Sequence, residues 1–174
     1  PPVTMLFYPY HNKNNTQKGI YYMDIQETTQ PLSQKPPLSP TEIKTIKTIL
    51  NQPRRLSKDW DCIKSLLQSR SLFTVHPADE ALFRRFTIDG VLYDQDVLLA
   101  FTDPEDCEEY GRRYAAVRIG REFNIVTVSY EEIIRIAEQH EKDVYIDLRK
   151  EFEERFLVYD GKRKTLHLCI NQGV

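Results

Sequence analysis

Few residues in this 174-residue chain combine reactive side chains with a spacing that lets them act together. Cys62, Cys107 and Cys169 are an odd number at wide spacing. They form neither a disulfide framework nor the close pairs of a thiolate zinc site. Two of them stand among apolar neighbours, where a cysteine is usually a small core residue, and a reducing, cytoplasmic setting is expected. His11, His76, His140 and His167 include no HxH or HxxxH pair, so a metal would need ligands gathered from distant segments. His140 has a structural reason for its place, because a cation is favoured at a helix C-terminus. Asp94 and Asp96 lack the ladder of oxygen ligands and closing Glu of a calcium loop and read as solvated turn acids. There is no nucleophile elbow, P-loop or Rossmann glycine fingerprint, and six glycines leave little to build one. No catalytic, cofactor-binding or metal-ligating residue is therefore assigned, no cofactor is expected, and the binding face stays open.

Two weaker sets remain. Asp147, Arg149 and Cys169 offer a carboxylate, a guanidinium and a thiol near the C-terminus. Arg54, Arg55 and Lys58 form a basic turn, and Tyr8, Tyr10, Tyr21 and Tyr22 could stack bases. Against a DNA reader, the helix that would enter the groove begins Ser57-Lys58-Asp59-Trp60-Asp61, and its two acids would face phosphates. A net charge of −2 and a pI near 6.1 also lack the basic excess of a general nucleic-acid binder. No apolar run approaches membrane-spanning length. The start at Pro1-Pro2, with no Met and no signal-peptide pattern, suggests either an artificial boundary or a fragment of a longer chain.

The elements that must position these residues are written more clearly. Thr4–Tyr8 and Ile20–Ile25 are aromatic-rich strands joined by a polar loop. Residues 26–40 are rich in Thr, Gln, Ser and Pro, a linker composition, so the chain divides into 1–38 and 39–174. Ser39-Pro40-Thr41-Glu42 opens a helix to Leu50 with Ile43, Ile46, Ile49 and Leu50 on one face, ended by Pro53. Ser57 is expected to cap a second helix carrying Trp60, Ile63, Leu66 and Leu67. Ser71–Val75 reads as the first core strand, Leu82–Ile88 as a moderately alternating strand, and Asp89-Gly90 as a hairpin turn into Val91–Tyr93. Val97–Phe101 is a continuous apolar run, the pattern of a strand buried on both faces. Thr102 is expected to cap the next helix, with Pro104 and acids in its first turn and Cys107 and Tyr110 inward. Ile125–Val128 is a β-branched strand, Ser129–Glu132 a capping box, Val144–Leu148 another strand, and Phe156–Tyr159 with Thr165–Ile170 a hairpin around Asp160-Gly161.

The segments LLAFTDPEDCEEY (98–110) and VTVSYEEIIRIA (126–137) resemble the N-terminal domain of the SseB (enhanced serine sensitivity) family of bacterial proteins, from about Trp60 to Tyr159. Phe101-Thr102-Asp103 carries the resemblance most sharply. It implies an α+β domain with a regulatory or partner-binding role and brings no catalytic residues with it. YIDLRKEFEE (145–154) locally resembles the strand and turn of rhodanese-like sulfurtransferases. Such enzymes need a nucleophilic Cys in an amide-lined loop at a helix N-terminus. Cys169 stands instead in a strand pattern, five residues before the last. The expected fold is thus α+β, a mixed sheet with helices packed on it, preceded by a helical hairpin and an N-terminal strand pair. The expected function is a non-catalytic module with a cognate protein partner, an adaptor or immunity-like protein. The competing readings are a sulfurtransferase-like or other enzyme and a nucleic-acid binder.

Overall fold

The computed structural model describes residues 35–148 and 154–170. The N-terminal strand pair, most of the Pro-rich stretch, Arg149, Glu151 and Phe152 lie outside the described residues. Helices α1 (Pro40–Leu50) and α2 (Ser57–Gln68) lead into β1 (Ser71–Pro77), α3 (Glu80–Phe86), β2 (Thr87–Ile88), β3 (Val91–Asp94) and β4 (Val97–Ala100). A helical stretch follows, α4 (Pro104–Tyr110), a π-helical turn (Gly111–Ala115) and α5 (Ala116–Ile119). The chain continues through β5 (Phe123–Ser129), α6 (Tyr130–His140), β6 (Val144–Ile146), β7 (Arg155–Asp160) and β8 (Thr165–Ile170). One sheet has the order β2-β3-β4-β6-β7-β8, with β4 and β6 parallel and the other neighbours antiparallel. Strands β1 and β5 form a separate antiparallel pair. The α+β architecture with a mixed sheet and a leading helical hairpin is therefore present.

The local signals work as their chemistry requires. Ser39 Oγ accepts the Glu42 amide at 3.3 Å while Glu42 Oε2 accepts the Ser39 amide at 2.8 Å. Arg70 donates to Glu42 Oε1 at 2.6 Å, which ties the start of α1 to the junction of α2 and β1. The Arg70 hydrogen bond, followed by that from the Ser39 amide, holds the Glu42 carboxyl down at about 2. Asp89 and Gly90 both take positive φ, 49° and 83°, as a two-residue hairpin turn demands. Asp160-Gly161 works differently. There Asp160 Oδ1 accepts the amides of Lys162 and Arg163, and the left-handed residue is Lys164, φ 58°. Gly161 is needed for contact, because a Cβ would stand 2.2 Å from the Lys142 carbonyl and 2.6 Å from that of Ala137.

Three expectations are corrected. Leu82–Phe86 is helical and only Thr87–Ile88 is strand. Asp79 Oδ1 accepts the Leu82 amide at 2.9 Å, and Glu80 pairs with Arg84 one turn on, so cap and ion pair outweigh a weak alternation. Leu56, not Ser57, is the N-cap residue of α2, and Asp59 reaches back to accept the Leu56 amide at 2.7 Å. Asp94 is buried rather than solvated, held by Arg118 Nε at 2.9 Å and by the Tyr110 hydroxyl at 3.4 Å.

Two apolar clusters sandwich the central strands. On one side α1, α2 and α6 supply Ile46, Ile63, Leu67, Ile133 and Ile136 against Val91, Leu98, Ala100, Val144 and Ile146. On the other, Val75, Cys107, Tyr110 and Ile119 pack with Leu92, Leu99 and Phe101. Strand β1 is fastened to the hairpin of β3 and β4 by backbone bonds in both directions between Phe73 and Phe101, each 2.8 Å. The buried Thr74 hydroxyl accepts the Leu92 amide at 3.0 Å and donates to the Leu99 carbonyl at 2.9 Å. Replacing Thr74 by Val keeps the shape but strips both bonds, and is expected to cost roughly 1–3 kcal/mol. Urea unfolding of Thr74→Val beside Thr74→Ser measures this; equal stability of the two variants would show that the hydroxyl contributes nothing.

Candidate functional site

Ligand sites in open sheets gather beyond the carboxyl ends of parallel strands. In this chain those ends are Ala100 of β4 and Ile146 of β6, partners in register. The next residues close on one another. The Asp147 amide donates to the Ala100 carbonyl at 3.0 Å, Asp147 Oδ1 accepts the Thr102 amide at 2.7 Å, and Oδ2 accepts the Thr102 hydroxyl at 2.7 Å. Asp147 reaches this position with φ 60°, a left-handed conformation that Asp tolerates better than most residues. Thr102 is therefore not the cap of α4. Asp103 takes that role, its Oδ1 accepting the Glu105 amide at 2.9 Å, because both polar groups of Thr102 are already committed to Asp147.

Lys47 approaches from α1. Its Nζ lies 2.9 Å from Asp106 Oδ2 and 3.6 Å from Asp103 Oδ2. Burial opposes the Lys47 charge, but the Asp106 hydrogen bond and the charges of Asp106, Asp147 and Asp103 outweigh it and hold the ammonium above its usual range. Burial pushes the Asp147 carboxyl up to about 6, against the downward pull of the Thr102 bonds and the Lys47 charge. The Cys107 thiol is raised well above its ordinary value by complete burial, then by Asp147, Asp106 and Glu108. A carboxyl near 6 has the acidity of a general acid or base. Here both its oxygens are occupied by Thr102 and only 7% of the residue is exposed. The neighbouring thiol is sealed and protonated, so the cluster positions the strand ends and has no activated nucleophile.

A groove of about 690 Å³ opens beside this cluster, between α1 and the start of α4. Pro37, Leu38, Ile43, Phe73 and Pro104 give it apolar walls, and Lys44, Lys47, Asp103 and Glu105 supply charge. The Pro-rich chain forms one wall because it is pinned there: the Ser71 amide donates to the Pro36 carbonyl at 3.0 Å and the Ser71 hydroxyl to that of Lys35 at 2.7 Å.

The residues weighed from sequence are scattered. Cys169 lies in β8, two strands from β6 and on the side away from Thr102, about 10 Å across the sheet at the usual strand spacing. Burial, then the Asp143 charge, raises its thiol. Of the basic turn, Arg54 and Lys58 are exposed, whereas Arg55 is bound to the Leu50 and Gln52 carbonyls. Lys47, Asp106 and Thr102 carried no sequence signal of a shared site, since they come from two segments 55 residues apart and meet only through the sheet. Among the described residues no group of three or more His, Cys, Asp and Glu is placed to hold a metal ion, and no helix is long and apolar enough to cross a membrane.

No family model, curated protein or solved structure matches the chain.

The Asp147 carboxyl makes stability depend on pH with a definite sign. Its folded value, about 6, exceeds the ordinary 3.8, so its contribution is full below pH 3.8 and lost as pH rises through 6. Asp147→Asn keeps a side chain that accepts the Thr102 amide but cannot ionise. The stability difference, wild type minus variant, is expected to fall by on the order of 2 kcal/mol between pH 4 and pH 7. His76, whose imidazole burial pushes down, acts in both proteins and cancels in the difference. Urea unfolding at each pH measures it; a difference that stays flat would mean an ordinary carboxyl.

Proposed function

We propose that this chain is a non-catalytic protein-binding module of the SseB type, working in the cytoplasm and taking an extended segment of its partner into the groove between α1 and α4. The single observation that carries this reading is the groove itself: apolar walls with cations and acids around them, beside a polar cluster whose reactive groups are all engaged. Aromatic and proline walls suit an extended peptide, and the charges of Lys44 and Glu105 fix its direction. The order of strand, Phe101-Thr102-Asp103, helix, strand, Ser129-capped helix and strand agrees with the SseB resemblance, which supports the reading at the level of fold. An enzyme built on Asp147 and Cys169 would need the two to share a pocket, and β7 stands between their strands.

Lys44 and Thr48 line the groove and are exposed, so Lys44→Glu with Thr48→Arg changes its charge and fills it without touching the core. Affinity capture with wild type and with this double variant is the test, with circular dichroism to confirm that both fold. A partner held stoichiometrically by the wild type and lost at least tenfold in the variant is expected. Equal capture by both would remove the groove as the binding face. Fast labelling of Cys169 by a thiol probe at neutral pH would put the enzyme reading ahead of this one.

A further inference from the structure

The C-terminal end of α1 holds two arginines where one would serve. Arg55 Nη1 donates to the Leu50 carbonyl at 2.8 Å and to the Gln52 carbonyl at 2.7 Å. Arg155 Nη1, from the start of β7, donates to the same two oxygens at 2.8 and 3.0 Å. Since each Nη1 is 2.8 Å from one shared oxygen, the two nitrogens stand no more than 5.6 Å apart, twice that distance. The negative end of a helix dipole amounts to about half an elementary charge, against two guanidinium charges. Neither guanidinium has a carboxylate partner among the described residues, in contrast to Arg70, Arg118 and Arg135, which grip Glu42, Asp94 and Glu132. Their Nε and Nη2 donors make no hydrogen bond there either, and both residues are partly exposed.

The geometry points to an oxyanion site at this corner, in which Arg55 and Arg155 together take the dianionic oxygens of a phosphate monoester. The two forks are already fixed by the carbonyls, so little side-chain freedom is lost when the anion arrives. A tetrahedral dianion supplies the charge that the helix end lacks and has enough oxygens to accept from both forks. The chain as a whole is slightly acidic, with a net charge of −2, so this pair is a local feature and not part of a general basic surface. The groove between α1 and α4 reaches Asn51 but is lined by neither arginine, and the pair does not depend on how that groove is used.

The test is thermal unfolding of the full chain in sodium phosphate and in sodium chloride at matched ionic strength and pH. Phosphate is expected to raise the wild-type Tm by roughly 2–4 °C over chloride. Arg55→Gln and Arg155→Gln should each abolish that difference, and Arg155→Lys, which keeps charge but loses the fork, should retain less than half. Loss of a helix cap lowers Tm in both salts alike, so only the difference within each protein is read. Should a variant not fold, the Arg Nε–H resonances of Arg55 and Arg155 in the wild type must move on phosphate titration while those of Arg70 and Arg118 do not. A phosphoserine peptide that binds more tightly than inorganic phosphate places the oxyanion on a phosphorylated side chain, and equal affinity places it on a free phosphate ester; both support the site. Equal Tm in the two salts, a difference that survives both Gln variants, or unmoved Nε–H signals would overturn it.

Discussion

Strand β4 has to be covered on both faces, and the arrangement of the rest follows from that demand. Leu98 and Ala100 point into one apolar cluster, Leu99 and Phe101 into the other, and all four are sealed from water. A half-buried strand could rest on a single layer of helices, but this one needs two. One layer is the group α1, α2 and α6. The other combines α4 and α5 with the pair of β1 and β5. The 42 residues between Phe101 and Val144 let β6 return parallel to β4, a crossover no tight turn can make, and on the way they add α4, α5 and β5 to one covering and α6 to the other.

Short strands raise a second difficulty, because buried backbone groups run out of ladder partners within a few residues. Side chains take over at both margins of β4. Thr74 inserts its hydroxyl between the Leu92 amide and the Leu99 carbonyl. Beyond Ala100, Asp147 receives the Thr102 amide as a carbonyl of a longer strand would, and takes the hydroxyl as well. That use of a carboxylate has an electrostatic consequence. The group is held inside a low-dielectric region, where burial favours its neutral form. The nearby Lys47, drawn to Asp106 and Asp103, offsets this only in part.

The placement of the reactive groups is the ground on which the proposed binding role rests. Cys107 is enclosed and protonated, Cys169 belongs to a distant strand, and Asp147 spends both oxygens on Thr102. What the molecule leaves open is different in kind: an apolar groove with mixed charge, and a pair of arginines that have no carboxylate partner among the described residues. Both lie on α1, the groove along its outer face and the arginines at its end. The leading helix is thus where both proposed binding sites and the core meet.

Much of this fold was legible in the residues because the responsible interactions are local. Ser39 and Glu42 cap each other across three positions, Asp89-Gly90 selects its own turn, and the apolar run from Val97 to Phe101 announces the burial that Leu98 to Phe101 show. Where reading failed, a longer-range partner had outbid a local one or a weak pattern faced a stronger neighbour. Thr102 had the right chemistry for a cap, but Asp147, 45 residues away, took its hydroxyl and left the cap to Asp103. Asp94 looked like a solvated turn acid until Arg118 and Tyr110 closed over it. Leu82–Phe86 alternated faintly, yet Asp79 and the pair of Glu80 and Arg84 supplied a helix with more than alternation could offer a strand. The sequence by itself determined which segments become helices and strands and which faces are apolar, since caps, turns and periodicity act over a few residues. Only the tertiary structure decided that Lys47, Asp106 and Asp147 share one corner, that Arg55 and Arg155 share two carbonyls, and that a groove lies between α1 and α4. Those neighbours are set by sheet order and helix packing, and no spacing along the chain encodes them.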